Sequence, residues 1–262
     1  MDEKERAPFL GRKELFEMLS KIPDAEAKMH SYCEQLMAHS RGAERCKGCW
    51  LQNTHCACLS WTSVANRIRV VVHIHHGDWA KASNTGICIH RTLRKSNMFL
   101  RGHQEDDTEF RKMLDDPTTM KCVLWPGDGA ISVEEFKQLM SKSEPKEVVV
   151  IIPDGSYRGA RKMAPKYPSS IPRVKLSVES VLGSKDQCMI SAVREYGGKQ
   201  RETGRVSSLE AVAALLDEMG EDPHVSHALK ENMKVKLDMV LLQAGRQPLY
   251  GSSNGNKESR AY

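Results

Sequence analysis

Long apolar segments are missing from this chain of 262 residues. No apolar run approaches the ~18 residues that a membrane-spanning helix requires, and no charged and then apolar leader stands at the start. We therefore expect an intracellular protein, cytoplasmic or nuclear, with no membrane partner. Because reducing compartments disfavour structural disulfides, the eight cysteines are more informative as candidate metal ligands.

Two nucleotide-binding signatures are missing as well. Neither the glycine fingerprint of a dinucleotide fold nor a phosphate-cradling lysine loop follows any apolar segment. This disfavours nicotinamide-dependent and nucleoside-triphosphate-dependent enzymes. Hydrophobic residues nevertheless make up 40% of the chain, which is enough for a sizeable core. The formal net charge of +5 permits a polyanionic partner without requiring one.

Four cysteines are concentrated in one short segment, as a C-x-x-C pair followed after six residues by a C-x-C pair. They are Cys46, Cys49, Cys56 and Cys58. Two close pairs of thiolates match a tetrahedral four-thiolate zinc site, although His55 could replace one of them. Because four protein ligands leave no open coordination position, we predict a structural Zn²⁺ rather than a catalytic one.

Three aliphatic, β-branched segments end in polar turns that contain glycine. They span residues 68–75, 122–125 and 148–152. Uninterrupted runs of this kind are typical of strands buried on both faces of a parallel sheet. In such a sheet the three turns lie at one edge, where open α/β folds bind their ligands. We therefore predict an α/β fold with a mostly parallel sheet, flanked by helices, and a binding site at that edge.

Helical spacing and capping signals predict the flanking elements. Two short helices should be separated by Pro23, and Ser132 and Ser207 should each begin a helix with a capping box. A last helix should start at Asp222 and end at Gly245. Further strands are predicted at residues 98–100, 174–178 and 188–193, and an irregular surface excursion is predicted at residues 105–117.

The third polar turn carries Asp154 at the carboxyl end of its strand, and a basic segment with one aromatic ring follows. The aromatic residue is Tyr157, and the cations are Arg158, Arg161, Lys162 and Lys166. A carboxylate beside cations and an aromatic ring suits an anionic, stackable ligand such as nucleic acid. An ordinary strand, turn and helix with solvated charges is the alternative interpretation.

A different chemistry is suggested by His73, His75 and Asp78, which resemble the first ligands of dinuclear metallohydrolases. Such a site also needs further histidines downstream. After His103 only His224 and His227 remain, within a segment of helical character. We therefore expect His73 and His75 to be ordinary strand-end residues, and the metallohydrolase stays an alternative.

Taken in order, the motifs resemble those of the DTW-domain family, the tRNA-uridine aminocarboxypropyltransferases. The shared motifs are the cysteine pairs, His75-His76-Gly77-Asp78, Asn84-Thr85-Gly86, Leu124-Trp125-Pro126-Gly127, Asp154-Gly155-Ser156-Tyr157, Ala160-Arg161-Lys162-Met163, Pro172-Arg173 and Ser207-Ser208-Leu209-Glu210-Ala211, within about residues 46–243. The family usually has the sequence Asp-x-Thr-Trp at this position. Ser156 keeps the hydroxyl of the threonine, and Tyr157 keeps the aromatic face of the tryptophan. His76 stands where the family has a proline, and Asp78 stands where it has a glutamate.

The resemblance implies transfer of the 3-amino-3-carboxypropyl group of S-adenosylmethionine to N3 of a uridine in tRNA. It implies a SPOUT-related fold with a knotted C-terminal half. A positioned carboxylate can take the N3 proton of uracil, so Asp154 is the candidate general base, and it could equally orient the base or the cofactor. The cofactor-binding residues would be Pro126, Gly127, Ser156, Tyr157, Arg173 and Leu176. The residues that contact the substrate RNA would be Asn84, Thr85, Arg158, Arg161, Lys162 and Lys166.

The predicted organisation has four parts. A helical N-terminal extension (1–42) precedes the cysteine-rich zinc-binding segment (43–62), the DTW catalytic domain (63–245) and a disordered tail (246–262). The departures from the family motif leave one further alternative open. The same fold could be a catalytically silent RNA-binding module that keeps the zinc and the basic face.

Overall fold

The structure is a computed structural model that describes residues 10–40, 44–143, 145–180, 188–190 and 206–251. Its strands are β1 Arg69–Ile74, β2 Ser96–Leu100, β3 Thr119–Leu124, β4 Ile131–Ser132, β5 Glu147–Asp154 and β6 Arg173–Lys175. Its helices are α1 Arg12–Ser20, α2 Ala25–Ser40, α3 Gly86–Thr92, α4 Gln104–Asp115, α5 Val133–Ser143, α6 Tyr157–Met163, α7 Ser208–Glu218 and α8 Pro223–Gln243. The predicted α/β fold is confirmed.

The six strands form one sheet in the order β2-β1-β5-β3-β6-β4, and every pair is parallel. The chain adds β2 on one side of β1 and then places β3 on the other side. The strand β5 later fills the position between β1 and β3. Such a reversal of direction marks the switch point at which open α/β sheets bind ligands.

Side chains of the central strand β5 alternate between two cores. Val150 and Ile152 face the larger core, which also contains residues of α3, α7, α8 and the cysteine-rich segment. Val149 and Ile151 face a smaller core on the opposite side of the sheet, together with Phe110 of α4. Burial on both faces is the physical reason for the uninterrupted aliphatic run of this strand.

The predicted helix starts are confirmed by their capping contacts. The Ser132 hydroxyl accepts a hydrogen bond from the Glu135 amide at 3.2 Å, and Ser207 accepts from the Glu210 amide at 3.1 Å. Asp222 caps α8 by accepting from the amide two residues on, at 2.8 Å. Helices α1 and α2 lie on either side of Pro23, as predicted.

Some sequence-based expectations are corrected. The acidic stretch predicted as an irregular excursion is the helix α4, whose acidic first turn complements the positive end of the helix. Residues 188–190, predicted to begin a strand, form a turn instead. The strand β5 continues through Pro153 to Asp154 rather than stopping at the proline.

Three expectations fall on residues that the structure does not describe. They are the rest of the predicted strand at 191–193, residues 252–262 of the predicted tail 246–262, and the knot, since the chain between β6 and α7 passes through residues 181–187 and 191–205. Within the described part of the chain, no helix combines the length and the apolar character needed to cross a membrane.

Candidate active site and metal centre

The carboxyl ends of β1, β5 and β3 lie side by side, because these strands are neighbours in the sheet. The His75 amide donates a hydrogen bond to the Asp154 carbonyl at 2.9 Å, which joins the turns after β1 and β5. The Trp125 amide donates to the Val174 carbonyl at 3.0 Å, which joins the end of β3 to β6. The three polar turns therefore share one edge, as the sequence predicted.

Asp154 lies beneath the first residues of α3 and α7, with 2% of its surface exposed. The Asn84 side chain donates a hydrogen bond from Nδ2 to Asp154 Oδ2 at 2.7 Å. The Ser208 side chain also acts on this carboxylate and favours its ionised form. A Cβ atom at Gly86 would lie 2.6 Å from Asp154 Oδ2, so only glycine lets α3 begin this close to the carboxylate.

The electrostatic environment of Asp154 favours its protonated form. Burial raises the pKa of this carboxyl above its ordinary value, and the negative charge of Asp78 acts in the same direction. Hydrogen bonds from Ser208 and Asn84 and the charge of Lys236 partly offset the effect and lower the pKa. The net result is a raised pKa, which makes the ionised carboxylate a stronger base than one in water.

A second carboxylate, Asp78, fixes the turn that follows Asp154. It accepts a hydrogen bond from the Ser156 amide at 2.7 Å and forms an ion pair with Lys81 at 2.7 Å. Gly155 has a φ of +149°, and a Cβ atom there would lie 2.9 Å from Asp78 Oδ2. Asp78 therefore orders the turn that leads from β5 into α6.

The helix α6 carries the predicted cationic face. Ser156 caps it by accepting a hydrogen bond from the Gly159 amide at 3.2 Å. Arg158, Arg161 and Lys162 are exposed and share one side of the helix, since they are three and four residues apart. Lys166 follows and is also exposed. No ion pair between these four cations and a carboxylate is found within the described residues.

Two aromatic rings stack where β3 ends and α6 begins. The ring centroids of Trp125 and Tyr157 are 5.8 Å apart, with 23° between their planes. Tyr157 is 47% exposed, so part of this pair remains open to a ligand. Pro126 and Gly127 continue the turn after Trp125. Leu176 follows β6, the neighbour of β3, and is partly buried against the larger core.

Some predicted binding residues are engaged within the protein. Asn84 and Thr85, predicted to contact RNA, are only 8% and 6% exposed. The side-chain oxygen Oδ1 of Asn84 accepts a hydrogen bond from the Ile87 amide at 3.1 Å, so both the oxygen and the nitrogen of the side-chain amide already have partners. The Arg173 guanidinium donates to the backbone carbonyls of Ala164, Tyr167, Pro168 and Ile171 at 2.8–3.1 Å. The contacts of Asn84 and Thr85 with RNA, and the contact of Arg173 with the cofactor, stay predictions.

His73 is a packing residue of the smaller core. Its ring stacks on Phe110 with centroids 4.1 Å apart, and its Nδ1 lies 3.0 Å from the Tyr167 hydroxyl. Burial lowers the pKa of His73 to about 3, so this imidazole is neutral. Neither of the two potential metal-binding groups among the described residues includes His73, His75 or Asp78. The metallohydrolase alternative therefore lacks its ligands there.

The four cysteine sulfurs lie within 4.8 Å of one another. The distances from Cys46 Sγ to Cys56 Sγ and Cys58 Sγ are 3.4 and 3.5 Å, and that from Cys49 Sγ to Cys56 Sγ is 3.9 Å. Tetrahedral zinc with Zn–S bonds of ~2.3 Å requires sulfur separations of about 3.8 Å. The hydrogen bond between Cys58 and Cys49 lowers the pKa of the Cys49 thiol and raises that of the Cys58 thiol, so the two share one proton until an ion replaces it. The group can therefore hold a zinc ion.

The surroundings of the four sulfurs also suit an anionic metal–thiolate centre. A Cβ atom at Gly48 would lie 2.7 Å from Cys58 Sγ, so the loop depends on this glycine. The buried Lys236 Nζ donates to the Cys49 carbonyl at 2.9 Å and lies 6.0 Å from the ring centres of Trp50 and Trp61. Burial lowers the pKa of this amine and the negative charges of Cys88, Cys49 and Cys58 raise it, so thiolates around a divalent ion would favour its charged form.

Sequence reasoning did not assign site roles to Trp125, Ser208 or Lys236. Trp125 was visible as part of a motif, but its pairing with Tyr157 depends on the sheet order. Lys236 is spaced at helical intervals from Leu229 on the apolar side of α8, and such a cation signals a buried partner. Ser208 carries no comparable local signal.

Comparison with known proteins gives one result at the level of the family. A family model described as the DTW domain matches residues 43–241. This interval includes the four cysteines, the sheet and most of the last helix. No curated protein and no solved structure matches the chain.

Proposed function

The chain belongs to the DTW-domain family, and we propose that it is a tRNA-modifying enzyme that transfers the 3-amino-3-carboxypropyl group of S-adenosylmethionine to N3 of a uridine. The family match covers 199 of the 262 residues, from 43 to 241. Membership is consistent with tRNA modification, and the finer assignment of the transferred group rests on the motifs at the candidate site.

The observation that carries the proposal is the position of Asp154. This carboxylate ends the central strand at the switch point of the sheet and is held by Asn84. The exposed cations of α6 and the Trp125–Tyr157 pair begin within a few residues of the same edge. A buried carboxylate, a partly exposed aromatic pair and a cationic helix face thus lie near one edge of the sheet, which supports a site for the modification of an RNA base.

Asp154 is our candidate general base. The imide proton at N3 of uracil is weakly acidic and must leave before the nitrogen can act as a nucleophile. The raised pKa of the buried carboxyl favours uptake of that proton, which Asp154 would accept on a carboxylate oxygen. We assign Asn84 to orienting this carboxylate rather than to contacting phosphates, because its side-chain amide already donates to Asp154 and its side-chain oxygen already accepts from the Ile87 amide.

The donor would supply an electrophilic carbon next to its sulfonium, and methylthioadenosine would leave. We propose that Tyr157 stacks on a base or on the adenine, since its ring is half exposed. Pro126, Gly127, Ser156 and Leu176 would line the cofactor site around this ring. The Arg173 guanidinium donates hydrogen bonds to backbone carbonyls of residues 164–171. We therefore propose that Arg173 stabilises this loop in addition to contacting the cofactor's carboxylate.

The tRNA would bind along the cationic face of α6. Arg158, Arg161, Lys162 and Lys166 are exposed, so their charges are available to phosphates. Zinc held by the four cysteines would have a structural role, because four protein ligands leave no position for a substrate. It would fasten the cysteine-rich segment to α8 through Lys236.

The test uses S-adenosylmethionine labelled either in its carboxyl carbon or in its methyl group. Incubated with tRNA, the protein should transfer the carboxyl label to RNA, leave the methyl label behind and release methylthioadenosine. Transfer of the methyl label instead would identify a methyltransferase. If neither label moves although tRNA binds, the protein is the non-catalytic RNA-binding module, and the proposal is wrong.

A further inference from the structure

A second group of potential metal ligands, separate from the cysteines, lies where the N-terminal helix α2 meets the start of α4. His30 and Glu34 are four residues apart on α2, and His103 and Glu105 lie at the start of α4. One ligand atom from each of the four residues lies within 4.8 Å of the other three. We call these residues the His-Glu cluster.

His103 is oriented as a ligating histidine would be. Its side chain is buried, with the residue 6% exposed, and its Nε2 lies 2.6 Å from Glu34 Oε1 and 3.1 Å from Glu105 Oε2. The other ring nitrogen, Nδ1, makes no hydrogen bond and faces Asp106 Oδ1 at 3.4 Å. Metal-bound histidines commonly donate their second N–H to a carboxylate, and Asp106 is the carboxylate nearest to Nδ1 here.

The remaining members of the cluster are also held in place. His30 stacks on His103 with ring centroids 5.3 Å apart, and its Nδ1 lies 3.8 Å from Glu105 Oε2. The Gln104 amide donates to His30 Nδ1 at 3.1 Å, a hydrogen bond that an ion bound to this imidazole would replace. Asp106, which faces His103, accepts from the Leu100 amide at 2.6 Å. The ligands therefore come from two helices whose relative position is already fixed.

Close packing next to the cluster fixes the two helices. Gly102 has a φ of +92°, and a Cβ atom there would collide with the Met29 side chain of α2. The Cys33 thiol donates to the Arg101 carbonyl at 3.6 Å. Because α2 rests directly on the loop between β2 and α4, an ion in the cluster would need little movement of the backbone.

We propose that His30, Glu34, His103 and Glu105 bind one divalent transition-metal ion of the Zn²⁺ class. Two imidazoles with two carboxylates form a nitrogen–oxygen ligand set that suits zinc, cobalt and nickel, and the two carboxylates neutralise the charge of the ion. The ion would cross-link the N-terminal extension to the catalytic domain.

This cross-link would reach the candidate active site. Tyr32, on α2 between His30 and Glu34, places its ring against His76 with centroids 5.7 Å apart. His76 belongs to the turn after β1 that also holds Asp78. An ion in the His-Glu cluster would therefore set the position of α2 against one border of the candidate active site.

Cobalt binding to the full chain, with its cysteine site already filled with zinc, tests the proposal. The wild type should bind one further equivalent of Co²⁺, with weak visible absorption and without the intense near-ultraviolet bands that thiolate ligands produce. The variant Glu34→Gln/Glu105→Gln removes two exposed carboxylates and keeps their shape. Its affinity for this second ion should be more than ~100-fold lower than that of the wild type. Loss of a residue that only contacts a ligand typically costs ~10–100-fold, so a larger loss identifies the two glutamates as ligands.

The control is Glu26→Gln/Glu109→Gln, which makes the same charge change on the same two helices outside the cluster. It should retain the second ion, and added zinc should raise the midpoint of thermal unfolding in the wild type and the control only. The proposal fails if the wild type takes up no second equivalent. It also fails if the cluster variant binds that equivalent as tightly as the control does.

Discussion

Asn84 and Asp154 are 70 positions apart in the sequence, and their side chains are joined by a hydrogen bond of 2.7 Å in the interior of the protein. The asparagine precedes α3, and the aspartate ends β5. This contact fastens the helix that covers the sheet to the carboxylate at its switch point. It is the relationship on which the candidate active site is built.

Removing the amide should weaken both the fold and the proposed base. In Asn84→Ala a buried carboxylate loses a donor, which should cost about 1–3 kcal/mol in the free energy of unfolding. The hydrogen bond lowers the pKa of Asp154, so its loss should raise that pKa further. Activity requires the ionised carboxylate and falls as the pH drops through this pKa, so the acidic limb of the pH–rate profile should move to higher pH.

The matched control for this change is Asn97→Ala on β2, where the side chain accepts from Arg69 instead, at 3.1 Å. It should leave the acidic limb where it is in the wild type. An acidic limb that is the same in Asn84→Ala and in the wild type would show that this hydrogen bond does not tune Asp154.

Gly86→Ala tests the close approach of α3 to the carboxylate. Its Cβ atom would lie 2.6 Å from Asp154 Oδ2, so the helix or the carboxylate must shift. We expect overpacking to cost about 1–3 kcal/mol in denaturant unfolding and transfer activity to be lost. Gly11→Ala is the control, because its nearest contact would be an ordinary 3.4 Å. Wild-type activity in Gly86→Ala would contradict this packing.

Cys56→Ser tests the zinc site. The purified wild type should contain about one zinc ion bound by the cysteines, and the variant should lose it because one of four ligands is gone. The thermal midpoint should fall by roughly 4–12 °C, which corresponds to about 2–3 kcal/mol in a domain of this size. Cys188→Ser, outside the cluster, should keep the metal. Full zinc content in Cys56→Ser would refute the assignment.

Arg161→Ala/Lys162→Ala tests the RNA face. Binding of tRNA should weaken, and the slope of log affinity against log salt should flatten by about one unit for each phosphate that the variant no longer neutralises. Cofactor affinity should hardly change. The control, Arg111→Ala/Lys112→Ala, removes the same charges from exposed positions on α4. Equal salt slopes for the two variants would place the RNA on another surface.

The sheet and the edge that carries the site could be predicted because burial on both faces leaves a local mark in the sequence. The aliphatic runs of β1, β3 and β5 identified the strands, and the polar turns identified their carboxyl ends. The four cysteines were equally legible, since ligands close in sequence need only a short loop to meet.

Other features depend on tertiary pairing and could not be read locally. The hydrogen bond between Asn84 and Asp154 and those from Arg173 to backbone carbonyls exist only after the strands have paired. The helix α4 differs from the predicted irregular excursion because an acidic first turn has the same composition as a solvated loop. Its signal was the helical spacing of Phe110 and Leu114, which pack in and against the smaller core.

Mass spectrometry of nucleosides from tRNA incubated with S-adenosylmethionine tests the central claim most directly, with the wild type compared with Asp154→Asn. The wild type should produce 3-amino-3-carboxypropyl uridine. The variant keeps the shape of the side chain but has no carboxylate to accept the N3 proton, so its rate of transfer should be roughly 10²–10⁴-fold lower. Its affinities for tRNA and for the cofactor should change less than about tenfold. Higher pH should partly restore the variant. No modified uridine from the wild type, or an unchanged rate in Asp154→Asn, would contradict the account.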